Sequence, residues 1–348
     1  MLNNSEKNFS GVGFLKRRPV DLSLKDVVRI DRLDPGAAIP VLIQPEIEEL
    51  DLTLWAQANL PLIDSILSKE GAILFRKFQV NSIAQFESLA RATSSGLMDY
   101  AEPSTSRTEL SNKVYTSTEY PATETLPLHN EMSYSHVWPM RIWFHCVEPA
   151  DEGGETPIAD SRKIFELLDL KLRKRFIDRQ VLYVRNYDEG IGLSWQSVFH
   201  TDCRETLEAY CRKNNIDYQW LDEKRLRTRQ VRQAIATHPK TGETVWFNQA
   251  HIHNILNLPA PFREALISVA RDKEFPLDIN SFYGDGSPIE PSVFEEIHSV
   301  CRKASVSFHW QKGDVMMLDN MLIAHARAPF VGSRKIVVAM AEPCTLQN

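Results

Sequence analysis

The chain has 348 residues, of which 43% are hydrophobic and 25% charged, a composition typical of a globular protein and unlike that of disordered or collagen-like chains. Its 40 basic and 46 acidic side chains give a net charge of −6, which argues against general attraction to nucleic acid or to an anionic membrane. No apolar run approaches the length of a membrane span, and the N-terminal residues lack the apolar core of a signal peptide. We therefore expect a cytoplasmic protein with neither nucleic acid nor a membrane as a partner.

The five cysteines do not form a recognisable site. They are widely spaced and contain no C-x-x-C pair (Cys146, Cys203, Cys211, Cys301 and Cys344). This spacing argues against a disulfide framework and against a thiolate zinc or iron–sulfur centre. We expect free thiols in a reducing compartment.

The N-terminal third is predicted to contain helices and a strand that follow an extension over residues 1–45. A helical stretch at Leu54–Lys69 precedes a short apolar strand at Ala72–Phe75. A second helix is predicted from Ser82 to Ala92, where apolar residues recur at helical spacing.

The pattern changes after residue 140. Arg141–Val147 is predicted to be a strand, the loop DEGGETP follows it, and an amphipathic helix is predicted over Ser161–Asp178. Thr201 or Asp202 is a candidate cap for a further helix that runs to about Arg212.

The C-terminal part returns to strands. Ile235–His238 and Thr244–Phe247 flank the turn PKTG and predict a hairpin. Three more strands are expected after it (Val306–Trp310, Val315–Leu318 and Lys335–Ala341). Strands on both sides of a helical segment predict one α+β domain over residues 1–348, whose β-core is interrupted by a mostly helical insertion at about residues 161–232.

A histidine followed two residues later by a carboxylate can bind a metal from an extended strand, because residues i and i+2 project to the same face. The sequence contains two such pairs, one at His129 and Glu131 and one at His200 and Asp202. The second is predicted to start a helix, where residues two apart point in different directions and Asp202 serves as a cap. The first lies in an apolar and aromatic setting beside a proline, which favours His129 and Glu131 as the metal-binding pair.

A third candidate is the pair His251 and His253, which could belong to a metal cupin. Such a site needs a nearby glutamate, and the next acidic residue, Glu264, lies on a predicted helix. These two histidines are expected instead to pack or to line a loop. The remaining histidines have no partner at chelating spacing (His136, His145, His238, His298 and His309).

The apolar segment around His325 offers a second half for the site. His325 follows an Asp-Asn turn, and Arg334 precedes the apolar strand at Ile336–Met340. An arginine at the mouth of a buried strand needs an anionic partner, either a protein carboxylate or a ligand carboxylate. Two histidines and one carboxylate are the facial triad of non-haem Fe(II) oxygenases, and an arginine that holds a dicarboxylate co-substrate fits the same chemistry.

Taken together and in order, the motifs H-x-E, G-G-E-T-P, W-F-N-Q and D-N-x(4)-H-x-R-x-P-F-x-G-x-R resemble the taurine dioxygenase (TauD/TfdA) superfamily of Fe(II)/2-oxoglutarate oxygenases. The likeness is greatest to the SyrP-like amino-acid hydroxylases, which are often found with nonribosomal peptide synthetases. It runs from about Leu126 to Pro343. The resemblance implies a double-stranded β-helix (jelly-roll) core, in which the H-x-E pair and the distal histidine come from opposite halves.

Carried over to this sequence, the resemblance implies that His129, Glu131 and His325 bind Fe(II). It also implies that Thr156 hydrogen-bonds 2-oxoglutarate and that Arg334 binds the distal carboxylate of this co-substrate. No catalytic residue beyond the metal centre is implied, because the cofactors carry the reaction with O2.

Three features of the sequence depart from patterns within the superfamily. Many members have Asp where Glu131 stands, although clavaminate synthase and the SyrP-like proteins use Glu. Related halogenases have a small residue there, so Glu131 argues against halogenation. The interval between His325 and Arg334 is shorter than in taurine dioxygenase, and Lys335 adjoins the arginine.

The function implied by the resemblance is hydroxylation of an unactivated C–H bond of an amino acid or amino-acid-derived substrate in natural product biosynthesis. The same cofactors could also desaturate, epoxidise or cyclise, and a jelly-roll binding protein without turnover is an alternative from another class. Four residues near the implied site are candidates for contact with the substrate (Ser133, Tyr134, Trp246 and Asn248).

A basic run contrasts with the acidic net charge. Five of the residues from Lys224 to Arg232 are positively charged. Such runs are commonly solvated faces, but this one could also dock an acidic carrier protein that delivers a thioester-bound amino acid. The predicted partners are therefore a small amino-acid-like molecule and, on the second interpretation, an acyl or peptidyl carrier protein.

Overall fold

The computed structural model describes residues 27–33, 36, 38–100, 102–118, 120–187, 192–258, 260–269 and 278–345. In this part the strands are β1 (Val28–Arg32), β2 (Val41–Pro45), β3 (Ala72–Phe75), β4 (Glu109–Ser111), β5 (Val114–Thr116), β6 (Leu126–His129), β7 (Trp138–Glu148), β8 (Glu152–Gly153), β9 (Ile158–Asp160), β10 (Val181–Tyr187), β11 (Asp217–Trp220), β12 (Leu226–Arg232), β13 (Ile235–Thr237), β14 (Thr244–Trp246), β15 (Ile279–Tyr283), β16 (Val315–Asp319), β17 (Ile323–Arg327), β18 (Phe330–Val331) and β19 (Lys335–Cys344). The helices are α1 (Leu52–Ala58), α2 (Leu60–Glu70), α3 (Ile83–Ala92), α4 (Ser161–Leu167), α5 (Leu170–Arg179), α6 (Trp195–Phe199), α7 (Arg204–Lys213), α8 (Ala260–Val269) and α9 (Pro291–Ala304). None of these helices has the length and apolarity needed to cross a bilayer.

A sheet of eight strands forms one wall of the β-core, in the order β1-β2-β3-β16-β7-β19-β5-β4. Neighbouring strands are antiparallel except β2 and β3, which are parallel. Both faces of the sheet are covered, so β7 is buried along most of its length. Its side chains still alternate, because Ile142 and Phe144 pack into the core between the sheets whereas Trp143 packs with the apolar residues of α1, α2 and α3.

A sheet of three strands, ordered β6-β17-β9, contributes the other side of this core. His129 ends β6 and His325 lies in the middle of β17, and the two residues are direct partners across the antiparallel strands. The predicted α+β class with a jelly-roll core and flanking helices is confirmed. Strand pairing, not proximity in sequence, brings the two histidines together.

Gly71 lets α2 end against the strand that carries His325. Its φ of +80° is the left-handed conformation that favours glycine at a helix C-terminus. A Cβ at this position would lie 2.6 Å from Cγ1 of Ile323, the first residue of β17. A larger residue would therefore have to displace the beginning of β17.

Two predicted helices are each divided by a local signal. The helix expected over residues 54–69 is α1 and α2, because Asn59 ends the first and Pro61 lies in the first turn of the second. The helix expected over residues 161–178 is α4 and α5, because the Asp169 side chain caps α5.

The helix predicted to be capped by Thr201 or Asp202 is α7, which instead begins after Cys203. The strand predicted over residues 306–310 is not formed. Val306 makes only an isolated bridge to Ile158, and the following aromatic residues turn inward to pack against each other.

The segment at residues 161–232 is not mostly helical, contrary to prediction. Besides α4 to α7 it contains β10, β11 and β12, which join β15 in a separate antiparallel sheet ordered β11-β12-β10-β15. The arginine-rich β12 alternates between buried residues such as Thr228 and exposed residues such as Arg229, the period of a strand. The predicted extension over residues 1–45 is also wrong in its last part, because β1 and β2 belong to the main sheet. The organisation of the chain as one domain stays a prediction.

Candidate metal centre

Three buried side chains, those of His129, Glu131 and His325, meet at the end of the three-stranded sheet. One ligand atom from each lies within 4.8 Å of the other two. The imidazole centroids are 4.4 Å apart, and Nε2 of His325 is 3.7 Å from Oε2 of Glu131. Within the described residues this is the only group of three or more His, Cys, Asp or Glu side chains whose ligand atoms lie this close together. Two imidazoles and one carboxylate can hold a metal ion and leave further coordination positions open.

The spacing argument had predicted that Glu131 lies on a strand. Glu131 lies instead just past the end of β6. The chain turns there, and Met132 has a φ of +56°. The Asn320 side chain fixes the turn, because Oδ1 accepts a hydrogen bond from the Glu131 amide at 2.7 Å and Nδ2 donates to the Glu131 carbonyl at 2.9 Å. Asn320 precedes β17, so a single side chain connects the two halves of the ligand set.

The protonation of His129 suits a metal ligand. Its Nδ1 lies 2.8 Å from the Pro127 carbonyl and donates to it, which leaves Nε2 without a proton. Burial, together with the nearby His325, lowers the pKa of His129 to about 4. The ring is therefore neutral at pH 7.

Glu131 is held as a carboxylate. Burial acts to raise its pKa, but the Arg107 guanidinium and the nearby His325 outweigh burial and hold the pKa of Glu131 well below its usual range. The site thus presents neutral imidazole and an ionised carboxylate, the forms that a divalent metal ion requires.

A second group of side chains borders a narrow cleft that reaches His129 and His325. Arg334 donates from Nε to the Gly154 carbonyl at 2.8 Å, and its Nη2 lies 3.4 Å from Oγ1 of Thr156. Nε1 of Trp310 donates to the same hydroxyl at 3.0 Å.

Arg334 has no carboxylate at ion-pair distance within the described part of the chain. Burial lowers the pKa of its guanidinium to about 10, with Arg327 acting in the same direction. Of the two partners that the sequence left open for Arg334, this favours a ligand carboxylate over a protein one.

The glycines of the GGETP loop allow this arginine to approach. Gly154 has a φ of +72°, and a Cβ there would lie 3.0 Å from Cδ of Arg334. Gly153 also has a positive φ, and its Cβ would lie 2.3 Å from the Pro329 carbonyl. The loop therefore has a structural requirement for glycine at both positions.

A cavity of about 470 Å³ adjoins the metal-binding cluster, with His129 and Glu131 in its wall. The wall combines polar and apolar surface and carries charges of both signs, from Arg107, Glu124 and Asp278. Of the four predicted substrate-contact residues, Tyr134 lines this cavity.

The structure places Ser133, Trp246 and Asn248 outside the wall of this cavity, as far as the described residues define it. Ser133 is fully buried. Trp246 packs edge-on against Phe176 with ring centroids 5.0 Å apart. Asn248 accepts from the Ala250 amide at 3.0 Å and donates to the Ala234 carbonyl at 2.8 Å.

Several wall residues were not predicted from the sequence. Arg107 lies in the polar stretch STSRTEL, and its Nη2 donates to Oε2 of Glu131 at 2.8 Å. Gln249, the neighbour of the predicted Asn248, donates to the Asn130 carbonyl at 2.8 Å and lines the cavity. Asp278 also lines it. Only the fold brings these loops to the metal centre.

The other histidine pairs do not form a metal site within the described residues. His200 ends α6 in a left-handed conformation instead of starting a helix, and it is not grouped with Asp202. His251 Nε2 bonds to the Leu128 carbonyl at 2.9 Å, and His253 Nε2 bonds to Gln249 at 2.9 Å. The cupin alternative therefore lacks its carboxylate ligand.

The basic run from Lys224 to Arg232 is only partly exposed. Arg232 is buried and donates to the Asn214 carbonyl at 2.9 Å, and Arg225 pairs with Asp222 at 2.6 Å. Its positive surface is thus smaller than the sequence suggested.

Comparison with known proteins gives consistent results. The chain matches the taurine catabolism dioxygenase TauD, TfdA family over residues 33–340. It is 42% identical over 282 residues to the dapdiamide synthesis protein DdaC of Enterobacter agglomerans, covering 81% of this chain and 85% of DdaC. It is 27% identical over 321 residues to a clavaminate synthase-like protein of Arabidopsis thaliana, covering 88% and 92% of the two chains.

The fold is similar to that of PvcB from Pseudomonas aeruginosa, with a TM-score of 0.52, 15% identity and 90% of each chain covered. PvcB is an Fe, α-ketoglutarate-dependent oxygenase from an isonitrile synthetic pathway. At this identity the likeness concerns the fold alone.

Proposed function

The chain belongs to the TauD/TfdA family of Fe(II)- and 2-oxoglutarate-dependent oxygenases, and from that premise we propose that it hydroxylates an unactivated C–H bond of an amino acid or amino-acid-derived substrate in secondary metabolism. The observation that carries the proposal is the buried cluster of His129, Glu131 and His325, of which His129 and Glu131 lie in the wall of a substrate-sized cavity. The 42% identity to a dapdiamide synthesis protein supports the assignment to secondary metabolism.

In this proposal His129, Glu131 and His325 hold Fe(II), and Thr156 and Arg334 hold 2-oxoglutarate. The absence of a carboxylate partner for Arg334 among the described residues supports the second assignment. When bound, the two cofactors and O2 supply the oxidation. The chain's own residues orient the substrate and keep water from the reacting atoms, since all three proposed ligands are buried.

The charges in the cavity wall support an amino-acid-like substrate. Arg107 can face a carboxylate, whereas Glu124 and Asp278 can face an ammonium group. Burial raises the pKa of Asp278, and this acid would be ionised more readily beside a cation. A zwitterion thus has a partner in the wall for each of its charges.

The metal assignment is tested by anaerobic addition of Fe(II) and 2-oxoglutarate. We expect the visible metal-to-ligand charge-transfer band in the wild type. Its loss is expected in H325A, together with Fe(II) binding at least about 100-fold weaker, because removing a direct ligand exceeds the usual effect of removing a supporting group. D202A removes the exposed acid of the other His-x-carboxylate pair and is expected to keep the band. A folded wild type without the band, or a band retained in H325A, would contradict the assignment.

The substrate class is tested by screening free and carrier-loaded amino acids with intact-mass detection. An added oxygen atom with one succinate per product supports hydroxylation. The loss of two hydrogen atoms would indicate desaturation or cyclisation, and location of the new oxygen by NMR separates an alcohol from an epoxide. Conversion of carrier-loaded substrates alone would support a carrier partner.

A further inference from the structure

We propose that Arg107 binds a carboxylate group of the substrate and so selects carboxylate-bearing molecules. The inference rests on the proposed function, because it takes the cavity beside the metal centre as the substrate site. It deepens that function by naming the group of the substrate that the protein recognises.

The guanidinium of Arg107 is buried without enough hydrogen-bond acceptors. Its side chain is 4% exposed. Nη2 donates to Oε2 of Glu131 at 2.8 Å and to Oγ1 of Thr118 at 3.2 Å. Within the part of the chain that the structure describes, Nε and Nη1 have no hydrogen-bond partner. The Tyr100 ring lies over the guanidinium, 4.4 Å from its carbon to the ring centroid, but a ring face does not accept the in-plane N–H groups. Buried donors in this state are stabilised by an acceptor that a ligand brings.

Arg107 lies between the cavity beside the metal centre and the narrow cleft beside Arg334. It lines the 470 Å³ cavity with His129 and Glu131, and it also lines the narrow cleft with Thr156 and Arg334. A substrate group held by Arg107 is therefore close to the proposed iron ligands, which positions the adjoining carbon atoms for reaction.

The charges of the loaded site also call for an anion. The charges of Fe(II) and 2-oxoglutarate cancel, and three arginines line the cleft, Arg107, Arg327 and Arg334. Glu131 and Asp278 can balance two of them, and the charge of the exposed Glu124 is screened by water, so one positive charge remains. A substrate carboxylate would neutralise it, whereas a neutral substrate would leave it uncompensated.

The carboxylate has two chemical sources. It is either the α-carboxylate of a free amino acid or the side-chain carboxylate of an amino acid whose α-carboxyl group is bound as a thioester. Both present the same two oxygens to Arg107. Amides of each kind separate them, since each amide removes only one of the two carboxylates.

The test uses the protein loaded with Fe(II) and 2-oxoglutarate without O2, with substrate binding followed by the change in the visible band. The probes are free amino acids, simple carboxylic acids without an amino group, and their α- or side-chain carboxamides. We expect at least one acid to bind at least tenfold more tightly than its amide. R107M should abolish this preference, R107K should retain part of it, and R162M, which removes an arginine that bonds to Asp160 and Glu243 away from the cavity, should keep it. A panel with no acid preferred over its amide, or a preference that survives in R107M, would overturn the proposal.

The 2-oxoglutarate affinity of R107M is the second readout. An affinity within about threefold of wild type is expected, as is metal binding no weaker than wild type, because the Arg107 cation competes with a metal for Glu131. A large loss of 2-oxoglutarate affinity with the acid preference unchanged would assign Arg107 to the co-substrate and overturn the proposal.

Failure of the proposed function would appear differently. If simple acids bind through Arg107 and no amino acid does, the amino-acid substrate class fails while Arg107 keeps its role. If the wild type gives no visible band, the iron assignment fails, and calorimetric titration of wild type and R107M with the same acids and amides then decides the role of Arg107.

Discussion

At the residue scale, the geometry of the proposed ligands depends on side chains that do not bind the metal. Asn320 is fully buried and hydrogen-bonds both the amide and the carbonyl of Glu131. It also donates to the Pro139 carbonyl at 2.8 Å, and its own carbonyl accepts from Asn130 at 2.6 Å. Such supporting contacts hold a ligand side chain in place before the metal binds. Metal binding therefore does not have to order that side chain.

We expect N320A to bind Fe(II) about 10–100-fold more weakly than wild type, the usual effect of removing a supporting group. Titration calorimetry under anaerobic conditions measures this. N59A is the matched control, because Asn59 is a buried asparagine that donates to the Trp55 carbonyl at 2.8 Å away from the site. Both variants should lose stability, but only N320A should lose metal affinity. Equal metal affinity in N320A and wild type would show that the Glu131 turn holds its shape alone.

At the element scale, the end of β17 holds a loop of the cavity wall. Arg327 donates from Nη1 to the Tyr120 carbonyl at 2.7 Å and from Nη2 to the Pro121 and Glu124 carbonyls at 2.5 and 2.7 Å. Tyr120 and Glu124 line the cavity. Because β17 also carries His325, one strand positions both a proposed ligand and the loop that faces the substrate.

R327M should release this loop while leaving the ligand set in place. We expect the apparent KM for the substrate to rise about tenfold, the equivalent of one or two lost hydrogen bonds, and the visible band with 2-oxoglutarate to persist. R162M is the control, because Arg162 makes a comparable set of contacts with Asp160 and Glu243 away from the cavity. An unchanged KM in R327M would mean that the loop does not need this anchor.

The element scale also explains which parts of the site the sequence could predict. The proposed ligands and Arg334 lie on or beside strands whose apolar runs and motifs are local signals, so the sequence could point to them. Arg107 lies on a loop held by long-range contacts instead. Tyr210 of α7 donates to Glu102 at 2.8 Å, and Arg185 of β10 donates to the Pro103 carbonyl at 2.9 Å. The segment predicted as a helical insertion thus supports the loop that carries Arg107, and no local periodicity encodes that contact.

At the scale of the whole molecule, folding buries the imidazole rings of His251 and His253, and burial makes these rings harder to protonate. Burial, together with His298 beside His251 and Arg185 beside His253, lowers the pKa of each of these two rings to about 3. In the unfolded chain a histidine titrates near 6.5, so the unfolded state binds more protons at any pH between these values. The stability that the neutral rings permit is complete above pH 6.5 and is lost as the pH falls towards 3.

We therefore expect the free energy of unfolding of the metal-free protein to fall by about 2 kcal/mol per buried histidine between pH 7.5 and pH 5, since one pKa unit corresponds to about 1.4 kcal/mol. Urea unfolding at the two pH values measures it.

H253Q lowers stability at both values because the contact with Gln249 is altered, but its loss on acidification should be about 2 kcal/mol smaller than that of wild type. H309Q replaces a side chain that is 89% exposed, and it should lose as much stability on acidification as wild type does. The comparison of slopes separates proton binding by the buried rings from the general acid sensitivity of ion pairs, which all three proteins share. If the free energy of unfolding of wild type were the same at both pH values, water would have to reach these rings without unfolding. Because His253 lies in the wall of the cavity, that wall would then be open in solution.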